Sequence, residues 1–424
     1  MIARLRRTRA WRKFFRNRQA VLALSVILVY AAFGLWVLAC DAGAMLGAKT
    51  GWYDSSKHPV LGAVTLDKAE AVIAPFTLPG FLERATPERR VRACKFWLDE
   101  FRKALPARRS DDDKRANLAR MAFGEKRVAD RPLEETQAIL RIANDIYREL
   151  NASEDLDKDP AFLPTIAELE HTIESLFAPM SGFDRSMYAL RTSLGTDRQG
   201  RSIMIRGLYS IKVAIQVGLV VAFVSVVIGS LIGAAAGFLG GWVDHVVVWL
   251  YSTLSSIPDL VLLAVLVFMF AGSIFDDVTR PYLSLIPVYT AMCMTFWIGS
   301  CRVIRGETMK LKELEYVQAA TAIGFSRVYI MLRHVVPNCM HLVFVNFSLL
   351  FIAAIKFEVI LSFLNLGVKV GPSWGRMIQE STQEVINGYF WQIGTATVLM
   401  FGLVLAFNIV SDALQDAFDP KHVG

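Results

Sequence analysis

No stretch of the 424 residues reads G-x-x-x-x-G-K-[ST]. That loop cradles nucleotide phosphates, because its glycine-rich backbone approaches them closely and its lysine reaches their negative charge. We therefore expect no ATP hydrolysis by this chain. We predict a protein that is not an enzyme, performs no covalent chemistry and binds no cofactor of its own.

Cysteine is scarce, and the few cysteines stand apart from one another. They are Cys40, Cys94, Cys293, Cys301 and Cys339. None has the paired spacing typical of zinc ligands, so we expect no metal site. Cys40 and Cys94 could both face an oxidising compartment, but their spacing does not indicate a disulfide, and whether they pair stays open.

Acidic residues are missing from the first 19 positions, whereas arginine and lysine are frequent there. Such a basic run is typical either of nucleic-acid binding or of contact with anionic lipid. Its position directly before an apolar run favours lipid, and we expect no nucleic-acid partner. The positive-inside rule then predicts that residues 1–19 form a basic cytoplasmic N-terminus.

Apolar residues are abundant and are concentrated in long runs. The chain is 54% hydrophobic and 20% charged, with a mean hydropathy of +0.39. This separation predicts an all-α polytopic membrane protein, since about 20 apolar residues span a bilayer as a helix. The six predicted spans are 20–40, 213–238, 244–271, 283–300, 339–361 and 390–410. The first is too long to be the apolar core of a signal peptide.

Residues 41–190 contain no run long enough to cross a bilayer, and their charges are mixed. Long external segments are translocated largely regardless of charge, so we predict an extracytoplasmic helical insertion. Pro87 is expected to open a helix that ends near Ala104. A second helix is expected from Pro132 with one apolar face, a third over 162–177, and a solvated loop at 109–115.

The polar segment 315–338 lies between two apolar runs and must therefore stand outside the lipid. The small residues Ala319, Ala320 and Gly324 recur at helical spacing, which predicts a short helix with one smooth face. Gly324 is expected to end that helix in a left-handed conformation. A second helical piece over 326–334 should lead to Pro337, where the chain turns back to the membrane.

This segment resembles the cytoplasmic loop of permease subunits of ATP-binding-cassette importers, in particular the dipeptide/oligopeptide (peptide/nickel) branch. That loop typically reads EYVxAAxxxG followed by HxxPN. The matching residues are Glu315, Tyr316, Val317, Ala319, Ala320, Gly324, His334, Pro337 and Asn338. Arg302 and Arg305 match the Arg-x-x-Arg that leads into the family's loop.

Further matches extend the resemblance from about residue 194 to the C-terminus. Residues 194–201 read LGTDRQGR, similar to the family's LGTDxxGRD, with Ser202 in place of the final Asp. Glu358 opens a match to the family's Glu-x-x-LSFLGLG, in which Asn365 stands where Gly is usual. The insertion is left without a counterpart.

Several residues inside the predicted spans also carry expectations. Gly229, Gly233 and Gly237 are small at four-residue intervals, so this helix face should pack closely against another helix. Asp259 follows Pro258 and is read either as a pathway charge or as a helix cap. Glu358 is expected near the outer end of its span, where it would reach the interface or pair with another subunit.

The resemblance implies the fold of a type I importer permease with six transmembrane helices, as a C-type subunit in the cytoplasmic (inner) membrane with both termini in the cytoplasm. Residues 191–424 would form a permease core with five spans and a cytoplasmic coupling loop at 302–338. The implied partners are two ATPase subunits that carry ATP and Mg²⁺, a second homologous permease subunit, an extracytoplasmic solute-binding protein and membrane lipid.

Two alternatives stay open. One is a membrane-anchored sensor or binding protein that acts through residues 41–190. The other is a permease for nickel or another small solute. A secondary transporter would usually carry two related halves, and no such repeat is visible in the sequence.

Overall fold

The computed structural model describes residues 14–50, 64–74, 86–152, 160–271, 285–386 and 388–418. Most of the predicted basic N-terminus and the predicted external loop 272–282 lie outside the described residues. The chain divides into two compact units. Unit 1 comprises residues 1–39, 210–379 and 396–424, and unit 2 comprises residues 40–209 and 380–395.

Helices form nearly all of the regular structure. The N-terminal half contains α1 (Arg18–Thr50), α2 (Leu66–Ala69), α3 (Pro87–Ala104), α4 (Asp111–Arg120), β1 (Ala122–Phe123), β2 (Lys126–Arg127), α5 (Leu133–Asn151), α6 (Leu163–Glu174) and α7 (Gly182–Thr192). The C-terminal half contains α8 (Ile203–Leu239), α9 (Gly241–Ser255), α10 (Asp259–Ala271), α11 (Ile286–Lys312), α12 (Glu315–Ala322), α13 (Arg327–Ile330), α14 (Val336–Asn338), α15 (Met340–Phe363), α16 (Trp374–Ile386) and α17 (Trp391–Phe418).

Unit 2 has its own hydrophobic core, built from the inward faces of α3, α5 and α6. Trp97 lies at its centre, where its ring meets those of Phe123 and Phe177 edge to face at centroid distances of 4.7 and 5.1 Å. The two strands form a minimal antiparallel hairpin in which Phe123 pairs with Lys126. The apolar faces of the helices in the insertion are thus buried against one another within unit 2.

The predicted helices of the insertion are confirmed. Helix α3 begins at Pro87 and ends at Ala104, and α5 follows Pro132. The predicted solvated loop at 109–115 is wrong, because Ser110 opens α4 by accepting a hydrogen bond from the Asp113 backbone N–H. A serine with an acidic residue three positions later is a helix start signal. Cys40 and Cys94 are both buried free thiols.

Four described helices are long and apolar enough to cross a membrane. They are Arg18–Gly47, Ile203–Leu239, Met340–Phe363 and Trp391–Ala417. A fifth span results if the pair Gly241–Ser255 and Asp259–Phe270 is counted as one, although these helices meet at 92°. The predicted third span is therefore not a single kinked helix, since Pro258 lies at a sharp break.

The predicted fourth span, 283–300, falls on α11, except for its first residues, which lie outside the described residues. Only 286–300 of this helix are free of charge, which is about 22 Å at 1.5 Å per residue and shorter than the hydrocarbon core. The remainder carries Arg302, Arg305 and further charges. Six spans therefore remain a prediction, whereas four or five are present among the described residues.

Helices α8 and α11 approach each other at backbone distance within unit 1. A Cβ built on Gly233 would lie 2.5 Å from the carbonyl oxygen of Cys301, and one on Gly237 would lie 2.7 Å from that of Arg305. Gly229 faces the carbonyl oxygen of Trp297 in the same way. Since these neighbours are main-chain atoms of a helix, they cannot rotate away. The three glycines therefore form one continuous contact with α11.

The loop after α15 is also closely packed, although Asn365 replaces the usual glycine. Asn365 has φ = +62°, the only positive value of a non-glycine residue in the described part of the chain. Asparagine is among the residues that tolerate this region best. A Cβ on Gly367 would lie 2.6 Å from the backbone of Ser362, so the loop lies directly on the end of α15.

The glycine contact yields a stability prediction. Gly233→Ala should lower the thermal unfolding temperature of the detergent-purified chain, because overpacking typically costs about 1–3 kcal/mol. The matched control is Gly306→Ala in α11, where a Cβ would meet nothing within 4 Å. Alanine is favoured over glycine in a helix by about 1 kcal/mol, so the control should be unchanged or more stable. Equal shifts for both variants would contradict the packing argument.

Candidate functional site

Helix α12 is a short amphipathic helix with well-formed ends. Its first residue is Glu315, whose negative charge is favourable at a helix N-terminus. At the other end, Gly324 has φ = +94° and the Phe325 N–H donates to the carbonyl oxygen of Ala320 at 3.3 Å. This is the glycine-terminated end that the sequence predicts, so the predicted termination at Gly324 is confirmed.

The small residues of α12 do not share one outward face. Val317 and Ala320 are buried in a cluster with Ile330, Val335 and other residues of unit 1. Ala319 and Gly324 are exposed. The predicted smooth face is therefore wrong in its composition, because Ala320 lies one turn from Val317 and faces inward with it.

Large apolar side chains are exposed where α12 ends. Ile323 is 75% exposed, Val328 is 55% exposed and Phe325 is 48% exposed. The Phe325 ring stacks on that of Tyr329 at a centroid distance of 5.2 Å. Exposed apolar clusters of this kind mark interaction sites. These three residues are not among the site residues predicted from the sequence, although apolar side chains in a polar segment between apolar runs were a usable signal.

The end of the loop is tied back to the start of α12. The Asn338 side-chain amide donates to the Tyr316 hydroxyl at 2.8 Å and to the carbonyl oxygen of His334 at 2.9 Å. Residues Met331–Val335 form one π-helical turn. Pro337 follows in the first turn of α14, where its missing N–H is not needed. The structure thus brings Tyr316, His334 and Asn338 together.

Arg302 and Arg305 contact a different helix. The Arg305 guanidinium donates two hydrogen bonds to the Asp244 carboxylate of α9, one of them 2.7 Å long. Arg302 donates to the Ser255 hydroxyl at 2.7 Å and lies over the Tyr251 ring at 4.7 Å from its centroid. Both arginines therefore join α11 to α9, and the structure does not bring them to α12.

The two candidate pathway charges occupy unlike environments. Asp259 is exposed and is the first residue of α10, a position that suits a carboxylate at a helix N-terminus. Glu358 is 1% exposed and accepts a hydrogen bond from the Ser362 hydroxyl at 2.7 Å. The expectation that Glu358 reaches the membrane interface or another subunit is wrong. Ser362, one turn later on α15, satisfies it within the chain.

The LGTDRQGR stretch forms a tight turn in unit 2. One Asp197 carboxylate oxygen accepts from the backbone N–H groups of Gln199 and Arg201 at 2.9 and 2.8 Å. Gly195 and Gly200 have φ of +80° and +79°, which favours glycine at both positions. Ser202 substitutes functionally for the expected Asp, because its hydroxyl accepts from the Ile205 N–H and so opens α8.

The same turn organises a buried ion cluster. The other Asp197 oxygen accepts from Arg201 and Arg206, each at 2.7 Å. Arg201 also binds Glu70 at 2.6 Å and Glu380 at 2.7 Å. Arg206 is fully buried, and the sequence analysis assigned it no role. An arginine near the start of an apolar helix predicts acidic partners, because a buried charge must be paired.

These features define the chain as a polytopic helical membrane protein with an exposed helix, α12, that lies between α11 and α15 and ends in exposed apolar side chains. A family model described as binding-protein-dependent transport system inner membrane component matches residues 217–423. The chain belongs to this family of inner membrane transport components, and it is a multi-pass inner membrane protein.

Curated relatives agree with this assignment. The dipeptide transport system permease protein DppC of Bacillus subtilis (strain 168) is 32% identical over 228 residues, which are 54% of this chain and 68% of that protein. The oligopeptide transport system permease protein OppC of the same organism is 31% identical over 58% of this chain and 81% of its own length. The oligopeptide transport system permease protein OppC of Escherichia coli (strain K12) is 36% identical over 54% of this chain and 72% of its own length.

The bond between Arg305 and Asp244 can be tested with a double-mutant cycle. Arg305→Gln and Asp244→Asn should each destabilise the purified chain, and the double variant should lose little more than either single one. The expected coupling free energy is about 1–2 kcal/mol, as for a paired, charge-assisted hydrogen bond that is mostly shielded from water.

The control pair is Lys310 and Glu307, both on α11. The Lys310 Nζ lies 3.1 Å from the Glu307 Oε2, and the lysine side chain is 77% exposed. Exposed pairs of this kind contribute about 0–1 kcal/mol, so its coupling in the same chemical-unfolding assay should be smaller. A coupling at Arg305 and Asp244 no larger than in the control would remove the argument that this bond fixes α9 to α11.

Proposed function

We propose that this chain is a permease subunit of an ATP-driven importer that carries dipeptides or oligopeptides across the cytoplasmic membrane. The observation that carries the proposal is α12, a helix between α11 and α15 whose end presents Ile323, Phe325 and Val328 to solvent. A membrane protein that worked alone would gain nothing from this apolar surface. The names of the relatives, which are dipeptide and oligopeptide permeases, support the substrate class.

In this proposal, α12 docks on one of two separate ATPase subunits that bind ATP and Mg²⁺. Closure of the ATPase pair would displace α12, and α11 precedes it by only two residues, Glu313 and Leu314. The displacement would then favour either the inward-open or the outward-open state of the permease. Val317 and Ala320 pack in one buried cluster with Ile304 of α11, so a displacement of α12 would be transmitted to α11.

The importer hypothesis also implies partners other than the ATPase subunits. A second, homologous permease subunit would complete the pathway, and the family description supports a partnership with a solute-binding protein. The basic N-terminal residues favour a cytoplasmic N-terminus, and six spans would put the C-terminus there as well. The helical insertion would then stand outside, where it would help to receive that binding protein.

The alternative functions make different demands. A nickel or small-solute permease would keep the same docking helix, so uptake by the reconstituted complex, with peptides and nickel compared directly, separates it from a peptide permease. A sensor acting through the insertion would need no docking helix. Co-purification of an ATPase with the full chain separates that reading from both permeases.

Orientation can be tested by labelling single cysteines in intact cells. Asp112→Cys, in the first turn of α4, should react with a membrane-impermeant thiol reagent added outside, whereas Glu313→Cys should react only after permeabilisation. Both positions are exposed, and the five native cysteines are buried or partly buried, which limits background labelling. The reverse pattern would contradict the proposed topology.

Coupling can be tested by Gly324→Leu. The substitution forces a branched side chain into positive φ at the end of α12 and adds bulk to the surface proposed to meet the ATPase. We expect the complex to assemble in the membrane but to lose most of its substrate-stimulated ATP hydrolysis, measured per assembled complex in lipid.

The matched control is Gly388→Leu. Gly388 has φ = +82° and, like Gly324, has nothing within 4 Å of an added Cβ, but it lies in unit 2. Backbone strain is thus equal, and only the location differs. Should both variants hydrolyse ATP alike, the proposed role of α12 in coupling is lost.

A further inference from the structure

Unit 2 contains a cavity of about 420 Å³ that the proposed transport function does not use. Its walls come from α3, from the turn at residues 196–198 and from residues 383–391, and they include Arg89, Arg198, Glu384 and Trp391. This volume falls in the range of about 300–1,000 Å³ that is typical of small-molecule sites.

One wall combines a cation with aromatic rings. The Arg89 guanidinium lies 3.8 Å from the centroid of the Tyr389 ring and 5.9 Å from that of Trp391, and the two rings are 5.1 Å apart. Stacking on a ring engages the face of a guanidinium and leaves its N–H edge free for a planar acceptor such as a carboxylate. Arg198 adds positive charge to the same cavity, and Arg92, one turn along α3, also lines it but is ion-paired with Glu88.

The two carboxylates of the cavity, Asp197 and Glu384, differ in the number of hydrogen bonds that they accept. Asp197 is occupied by four donors of the turn and the ion cluster. Glu384 is 7% exposed, and its Oε1 accepts from the Arg198 backbone N–H at 2.7 Å. Its Oε2 is buried without a hydrogen-bond partner among the described residues. A buried polar atom without a partner destabilises the folded state, and a hydrogen-bond donor on a ligand would remove this cost.

From these observations we propose that the cavity binds a small zwitterion, a free amino acid or short peptide, with its carboxylate on the Arg89 guanidinium edge, its ammonium on Glu384 Oε2 and its apolar side chain against Tyr389 and Trp391. Every residue that lines the cavity belongs to unit 2.

The electrostatics of the site favour such a ligand. An anion without an ammonium group would satisfy the arginines but would leave Glu384 Oε2 unpaired. Burial raises the pKa of Glu384 to about 7, although the Arg198 N–H opposes this shift. The carboxyl therefore exists in both protonation states at neutral pH, and a ligand ammonium would stabilise the ionised state. Binding also joins α3 of the insertion to the 196–198 turn.

The test uses the purified full-length chain in lipid nanodiscs and equilibrium dialysis with labelled alanyl-phenylalanine. The probe should bind saturably, and its N-acetylated and C-terminally amidated forms should each bind at least tenfold more weakly. Arg89→Gln should weaken binding of the unmodified probe at least tenfold. The matched control is Arg102→Gln on the same helix, whose side chain is 74% exposed and lies outside the cavity.

A second variant guards against misfolding. Glu384→Gln should weaken the unmodified probe severalfold while leaving the already weak N-acetylated probe unchanged, a pattern that general destabilisation would not produce. Unchanged binding in Arg89→Gln, or equal binding of the acid and the amide, would overturn the proposal. Because binding is measured without ATPase partners or transport, the outcome is independent of the importer assignment.

Discussion

The backbone contact between α8 and α11 is the constraint on which unit 1 depends. Three glycines, at positions 229, 233 and 237, put no side chain of α8 between the two helices over two turns, so the backbone of α11 comes close to that of α8. In a bilayer there is little hydrophobic gain from helix association, so close van der Waals packing of this kind is the main source of attraction. Helix α11 is thereby fixed along the half that leads to α12.

Charged side chains add further contacts between the helices of unit 1. Arg305 shares its turn of α11 with the last of these contacts, and its bond to Asp244 adds α9 to the same assembly. In unit 2, the Asp197 turn uses the same principle more deeply, since Arg201 and Arg206 are nearly inaccessible and are surrounded by acids. Buried pairs of this type specify one arrangement more clearly than they add stability, because removing one partner leaves a costly charge.

Much of this architecture is visible in the sequence because local signals are strong. Pro87 and Gly324 mark helix boundaries through their own backbone preferences, and the four-residue spacing of glycines indicates a close helix contact. The direction of Ala320 was not predictable, because both faces of α12 carry small or apolar residues. Only the packing of Val317 beneath it decides which face is buried.

Other features depend on partners remote in sequence. Arg302 and Arg305 match a family pattern next to the coupling loop, yet their partners precede them by 47 and 61 positions, and no spacing rule predicts such a bond. The cavity of unit 2 likewise combines residues 89, 198, 384 and 389, which only the folded chain brings together. Glu358 illustrates the opposite case, since its partner Ser362 lies one turn away and was readable.

Helix α11 has a mechanical consequence because of its length. Its 27 residues make a continuous rod of about 40 Å. At one end lies the short link to α12, and further along the Phe296 ring meets that of Phe357, one residue before buried Glu358, at a centroid distance of 5.3 Å. Such a rod is a lever: a tilt of about 5° about its midpoint displaces each end by about 2 Å. Residues 297–305, which contact the glycines near the midpoint of α11, would move much less than its two ends.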